Sequence, residues 1–296
     1  MFVAKPHIGN FRLVGMIKKT RGEIEALGSE VRFGQRMTDL QIETDAQVRQ
    51  QVQGVVLDSG QQVAANHIVM ALGHNARDTF EMLAERGVYM EAKPFSIRFR
   101  VEHPQGLIDR ARFGASAGIV VGISPQDYRQ DGRSSGPVNP SDGMAFQRFW
   151  ESRAFKLGYC APGQRGGDFL QGCASTAFDT VQPSYQLGVT PTDLNECGRG
   201  RLPGYGLAAI REALPACEGQ IKGFAMPDNL LTGVETRTSS SLRISRGRNL
   251  QSLNVAGLYP AGEGARFAKP RRAGLSRPAA PGIPKTAVAS AALRAG

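Results

Sequence analysis

Between residues 11 and 27 the apolar residues Leu13, Val14, Ile17, Ile24 and Leu27 recur at helical spacing, with Lys and Arg between them. The spacing predicts a helix that stops at Gly28, a residue free to take positive φ. The period then changes. Residues 30–33 alternate as a short strand, and Gly34 turns it. Residues 41–44, 54–57, 62–64 and 67–71 follow as a small meander ending in a buried strand, with turns such as Asp58-Ser-Gly60 between them. A second helix is expected over residues 79–86, entered from Gly73 and closed by Gly87. Residues 90–101 read as one strand leaving this unit, with Phe95, Ile97, Phe99 and Val101 alternating against Ser96, Arg98 and Arg100. Residues 124–143 are poor in large apolar side chains and read as a linker or surface loop. Amphipathic helices are expected from Phe146 to Leu157, around Trp150, and from Leu207 to Leu214, stopped by Pro215. The fold class this implies is α/β with α+β elements, its first part suited to the far half of a doubly wound domain.

Composition narrows the classes of function. The chain has 296 residues, 41% hydrophobic and 21% charged, so it is expected to fold. The longest clean apolar run, residues 117–123, is too short to span a bilayer, and the N-terminus lacks the apolar core of a signal peptide. A cytoplasmic protein with no membrane partner is the expectation. Net charge is +10, but seven basic and no acidic residues follow Glu263, leaving +3 for the rest. The excess belongs to the tail, so no specific nucleic-acid partner is expected. Beyond residue 268 the sequence has no periodicity and is expected to be disordered. The cysteines Cys160, Cys173, Cys197 and Cys217 show no C-x-x-C spacing, which argues against zinc and for scattered buried or half-buried thiols.

Several segments carry candidate chemistry. Leu258-Tyr-Pro-Ala-Gly-Glu-Gly-Ala265 delivers a carboxylate between glycines after an apolar run, as a nucleotide-sugar turn would, or as a plain surface turn. Ala71 and Gly73 end the buried strand where a backbone could approach a dinucleotide; a helix-start turn explains Gly73 equally well. Glu235, Thr236, Arg237 and Thr238 could bind an anionic substrate or the polar edge of a cofactor, or form a solvated loop with Glu235 paired to Arg237. Lys93 and Arg98 sit on a half-exposed strand and are expected to face solvent. Gly204-Tyr-Gly-Leu-Ala-Ala209 matches G-x-G-x-x-A but follows no buried strand, so it is read as a decoy. His67 reads as structural and His74 as a possible acid–base group; no Ser-His-Asp or paired-carboxylate arrangement is present.

The order of motifs carries more than any one of them. Lys5-Pro-His-Ile-Gly9, Ala71-Leu-Gly-His-Asn-Ala-Arg-Asp78, Met90-Glu-Ala-Lys-Pro-Phe95, Gly167-Asp-Phe-Leu170, Leu231-Thr-Gly-Val-Glu-Thr-Arg-Thr238 and Leu258 to Ala265 resemble, in that sequence, the bacterial NAD(P)/FAD-dependent oxidoreductases, an FAD-dependent dehydrogenase family. The resemblance implies FAD as cofactor, NAD(P) as a second candidate, and hydride transfer through flavin on a small-molecule substrate of unknown identity. It assigns cofactor binding to Arg36, Met37, Ala71, Gly73, Gly262, Glu263, Gly264 and Ala265, with Glu235 to Thr238 on the substrate or flavin side. Residues 1–90 would be a partial, Rossmann-like FAD-binding domain, 91–250 a substrate domain with an internal deletion near 128–133, 251–265 a return to the first domain, and 266–296 a disordered basic tail. The chain departs from the family in lacking the opening G-x-G-x-x-G turn, a central stretch and the usual sequence after Ala265. A truncated member is therefore expected, and the alternative is a non-catalytic remnant that binds no flavin.

Overall fold

The spacing at the start of the chain is realised as helix α1, Asn10–Ala26, and Gly28 follows it at φ +84°. In this computed structural model the described residues are 10–47, 49–104, 106–107, 117–129, 138–156, 161–184, 189–194, 203–219, 221–262 and 265. Among them nothing covers the apolar stripe of α1: Leu13, Val14, Met16, Ile17 and Ile24 are 38–57% exposed. Residues 30–33 form no strand, contrary to their alternation, and Phe33 is 73% exposed. A strand exists through its ladder, and no described segment pairs with this one. Regular pairing begins at β1, Met37–Thr44, antiparallel to β2, Gln50–Leu57, which also pairs with β3, Gln62–Ala64.

The meander then feeds β4, Ile68–Met70, and helix α2, Arg77–Glu85, after which Gly87 takes φ +74°. The stretch at 90–101 is two strands rather than one. Met90–Ala92 is β5 and Phe95–Glu102 is β6, with Lys93 and Pro94 between them. Pro94 has no N–H to give a ladder, and the chain changes sheets there. Along β6 the expected alternation holds: Phe95, Ile97, Phe99 and Val101 are at most 3% exposed.

The segment read as a surface loop begins instead with a 3-10 turn at Pro125–Arg129, in which Asp127 and Tyr128 are buried. The Tyr128 hydroxyl donates to the Lys93 carbonyl at 2.7 Å, so this turn is anchored to the strand junction. Helix α3, Asp142–Lys156, follows, then β8, Ala161–Arg165, the short helix α4, Gly166–Gln171, and β9, Val189–Pro191. Helix α5, Gly204–Glu218, runs through Pro215 instead of stopping before it. Leu214 and Cys217, on either side of the proline, are both buried, so packing outweighs the lost backbone bond. The last strands are β10, Leu230–Glu235, β11, Leu242–Ile244, β12, Val255–Ala256, and β13, Leu258–Pro260.

With Ala117–Ile123 as β7, the largest sheet runs β7-β6-β10-β8-β9, and smaller sheets join β1-β2-β12, β5-β11 and β4-β13. Helices on several sheets make the fold α/β. The large sheet carries one core, with Phe99, Phe169, Ile210, Leu214 and Phe224 at its centre. A second core gathers Leu40, Val52, Phe80, Leu83, Leu242, Ile244, Val255 and Leu258. Full burial of a side chain such as Phe80 or Leu83 contributes about 2 kcal/mol. Leu242 to Leu258 thus return the chain to the core formed by its first ninety residues, and this return positions the candidate site.

Candidate functional site

Strands β4 and β13 are parallel neighbours, with Ile68 opposite Leu258 and Met70 opposite Pro260. The Ala261 N–H donates to the Met70 carbonyl at 2.9 Å, so the two chains leave the sheet side by side. Gly262 follows at φ +70°, where a Cβ would lie 3.5 Å from the Leu72 carbonyl oxygen and 3.7 Å from the Ala71 carbonyl carbon. The fold therefore brings Ala71 and Gly262 together from positions 191 residues apart in the sequence. Gly73 lies just beyond, with open space where a side chain would be, and its carbonyl accepts the Ala76 N–H at the entry to α2. Ala265 is buried, and its N–H donates to Gly262 at 3.3 Å. Glu263 and Gly264 lie outside the described residues. The carboxyl ends of adjacent parallel strands are where open α/β sheets take ligands.

Arg36 and Met37 sit at the start of β1. The Arg36 guanidinium pairs with Asp78 on α2, and its carbonyl accepts the Asp58 N–H at 2.8 Å. The guanidinium and the carbonyl of Arg36 are thus both engaged within the fold.

Glu235, Thr236, Arg237 and Thr238 are not paired among themselves. Glu235 receives both Arg98 Nε, at 2.5 Å, and Arg98 Nη2, at 2.7 Å. Arg98 is consequently a half-buried ion-pair partner rather than a solvent-facing residue. Arg237 reaches across to Glu151 on α3, with Nε to Oε1 at 2.9 Å and Nη2 to Oε2 at 2.6 Å. The Thr236 hydroxyl donates to Glu151 Oε1 at 2.6 Å, and Thr238 donates to the Ser96 carbonyl. Arg77, from α2, completes the cluster with bonds of 3.0 and 2.8 Å to the two Glu151 oxygens. It also donates to Gln147 at 3.2 Å, whose amide in turn donates to the Thr236 carbonyl at 3.0 Å. Burial opposes the charge on Glu151, yet hydrogen bonds from Arg237, Arg77 and Thr236 win and hold its carboxyl at about 2. Sequence reading missed Glu151, Gln147 and Arg77. The available signal was Gln147 and Glu151 at i, i+4, two polar residues on one face of a helix that also buries Met144.

Beside Ala265 opens a cleft of about 350 Å³, lined by Glu91, Arg243, Ser245, Arg246, Gly247 and Leu253. Arg243 Nε donates to Glu91 at 2.6 Å, and Arg246 Nη1 donates to the Pro260 carbonyl at 2.9 Å. The remaining candidates are dispersed. The His67 ring contacts Tyr259, and Cys173 is exposed where a half-buried thiol was expected. Gly206 packs against Ile97 in the large core, in keeping with a structural role for the G-x-G-x-x-A match. Among the described residues there is no cluster of His, Cys, Asp and Glu fit for a metal and no helix long and apolar enough to cross a membrane.

A family model described as FAD-dependent protein, C-terminal domain-like matches residues 114–238. An uncharacterized protein of Clostridium beijerinckii is 33% identical over 331 residues, taking in 90% of this chain and 59% of the relative. The chain therefore spans about three-fifths of that relative's length. Residues 235–238 fall inside the family match, and the residues at the ends of β4 and β13 fall outside it. The match supports kinship with an FAD-dependent family.

Proposed function

We propose that this chain forms the flavin-facing part of an FAD-dependent oxidoreductase that acts on a small molecule, with NAD(P) as a candidate electron partner. The observation that carries this reading is the convergence of Ala71, Gly73 and Gly262 at the carboxyl ends of two adjacent parallel strands. They fit one wall of a dinucleotide site: Gly262 needs its positive φ, and Gly73 leaves open space in front of the backbone. When bound, the flavin supplies the hydride chemistry. Main-chain groups at Ala71 to Gly73 and at Gly262 would position it, and the resemblance assigns Glu263 to its hydroxyls. On this reading the tie of Arg237 and Thr236 to Glu151 fixes the 235–238 segment on the substrate or flavin side.

A second reading, a remnant that binds no flavin, is favoured by the uncovered apolar face of α1 and by Val69, 68% exposed on a two-stranded parallel sheet. Parallel strands are ordinarily covered on both faces. Purification of the full chain followed by addition of FAD separates the two. A visible flavin band that stays with the protein through gel filtration supports the first. A colourless protein that takes up no added FAD leaves the second.

A further inference from the structure

The two edges of the large sheet are built differently. One edge is β9, three residues long and ending in Pro191. A short strand that carries a proline offers little to a further strand. The other edge is β7, the seven residues Ala117-Gly-Ile-Val-Val-Gly-Ile123, with no charge and no proline. It pairs with β6 in unbroken register, from Val101 opposite Ala117 to Phe95 opposite Ile123, so no bulge bends it away. Among the described residues no strand lies along its other side. Alternate N–H and C=O groups of an antiparallel edge strand point away from its neighbour, and these are the groups open to pairing.

We propose that β7 pairs with β7 of a second copy of this chain, antiparallel about a two-fold axis at Val120, so that two large sheets become one. The strand itself selects this partner. About Val120 its sequence is nearly symmetric: Gly118 falls opposite the partner's Gly122, Ile119 opposite the partner's Val121, and Ala117 opposite the partner's Ile123. This register uses all seven residues and continues the buried face of one strand into the buried face of the other. A slip of one residue would set Ile119 and Val121, at most 3% exposed, beside the partner's open face. A strand without charge meets its own copy without like-charge repulsion. Ile119, Val121 and Ile123 are buried already, so the pairing covers mainly backbone. Seven residues span about 23 Å and a sheet is about 10 Å deep, a strip well below the roughly 800 Å² per partner of a standard interface. The dimer is therefore a weak and reversible one. The inference rests on the edge of the sheet and not on bound flavin.

The test uses the full chain carrying Val14→Ser and Ile17→Ser, which removes the exposed stripe of α1 as a second source of association. Sedimentation velocity over a concentration series from about 10 to about 500 μM should show a monomer–dimer equilibrium. Val120→Glu sets two carboxylates face to face on the axis, while within each copy it stands opposite Arg98; it should weaken the dimer about fivefold or more. Disulfide trapping reads the register. Val120→Cys places the two introduced thiols directly opposite, with Cβ atoms about 5 Å apart, and oxidation should join them. Gly122→Cys offsets them by about 13 Å along the strands and should not, although a Cβ at Gly122 meets nothing within 4 Å. Peptide mass spectrometry identifies the linkage, so the exposed Cys173 does not mimic it. A chain that stays monomeric over the series overturns the proposal and means that the edge is covered within the chain or serves another strand. A dimer indifferent to Val120→Glu, or Gly122→Cys joined as readily as Val120→Cys, overturns it too. The concentration series and the two cysteine variants decide the matter even if Val120→Glu fails to fold. Flavin uptake is read separately by visible absorbance, so failure of one reading does not mimic failure of the other.

Discussion

Arg77 on α2 and Glu151 on α3 form a two-pronged ion pair across the boundary between the two cores, at 2.8 and 3.0 Å. Arg77 is 8% exposed, so its charge depends on this partner. Glu151→Gln removes the charge that serves both Arg77 and Arg237 and should destabilise the chain by about 3 kcal/mol in urea unfolding.

The same carboxylate predicts a pH dependence. Its value in the folded protein, about 2, lies below the ordinary 4.5. A depressed folded value stabilises above the ordinary value, and that contribution is lost as pH falls from about 4.5 through about 2. Unfolding midpoints should therefore fall across that window in the parent chain, and Glu151→Gln should show a flatter profile there. Equal slopes would mean that the ion pair does not set the acid limb.

Two glycines near the candidate site separate strain from collision. Gly262 takes φ +70° with 3.5 Å of room for a Cβ, so Gly262→Ala should cost about 1–2 kcal/mol, the strain of a left-handed residue. Gly257 has φ +76°, and a Cβ there would collide with the Asn66 carbonyl oxygen and crowd Val52 at 2.7 Å. Gly257→Ala should cost about 3 kcal/mol or more, because β13 can no longer lie against β4. Thermal melts of the two variants measure the difference.

Pro215 points the other way. It is exposed inside α5, and it has no N–H to give to the helix. Pro215→Ala restores the donor and loses no buried contact, so it should stabilise by about 1–3 kcal/mol in the same assay. A lower melting temperature would show that the proline's restriction of the unfolded chain stabilises more than its disruption of the helix costs.

Local patterns were legible wherever they matched a local cause. The alternation of Phe95 to Val101 became a strand face, and Gly28 and Gly87 took the positive φ that ended their helices. What failed depended on distant partners. Residues 30–33 carry a strand pattern but meet no neighbour, and Pro215 is overruled by Leu214 and Cys217 against the core. At the site, Ala71 and Gly262 could each be singled out by motif, yet only the parallel register of β4 and β13 sets them in contact. Glu235 and Arg237, close in sequence, looked like each other's partners, while the fold gives them Arg98 and Glu151. Glu235 is the last residue of β10 and Arg237 lies beyond it, so no strand period relates the two, and no periodicity reveals which remote charge is nearer.

The exposed stripe of α1 supplies a last test, because exposure and burial give opposite outcomes for one substitution. Ile17 is 57% exposed and Val14 53%. Ile and Ser differ little in helix propensity, so Ile17→Ser changes mainly the contact surface. On a helix that faces water the change should stay within about 0.5 kcal/mol, whereas a packed isoleucine would cost several times more. The uncovered stripe should also make the chain self-associate, and Val14→Ser with Ile17→Ser should lower light scattering at equal concentration. A loss of several kcal/mol on Ile17→Ser, with scattering unchanged, would show that this face is covered in solution.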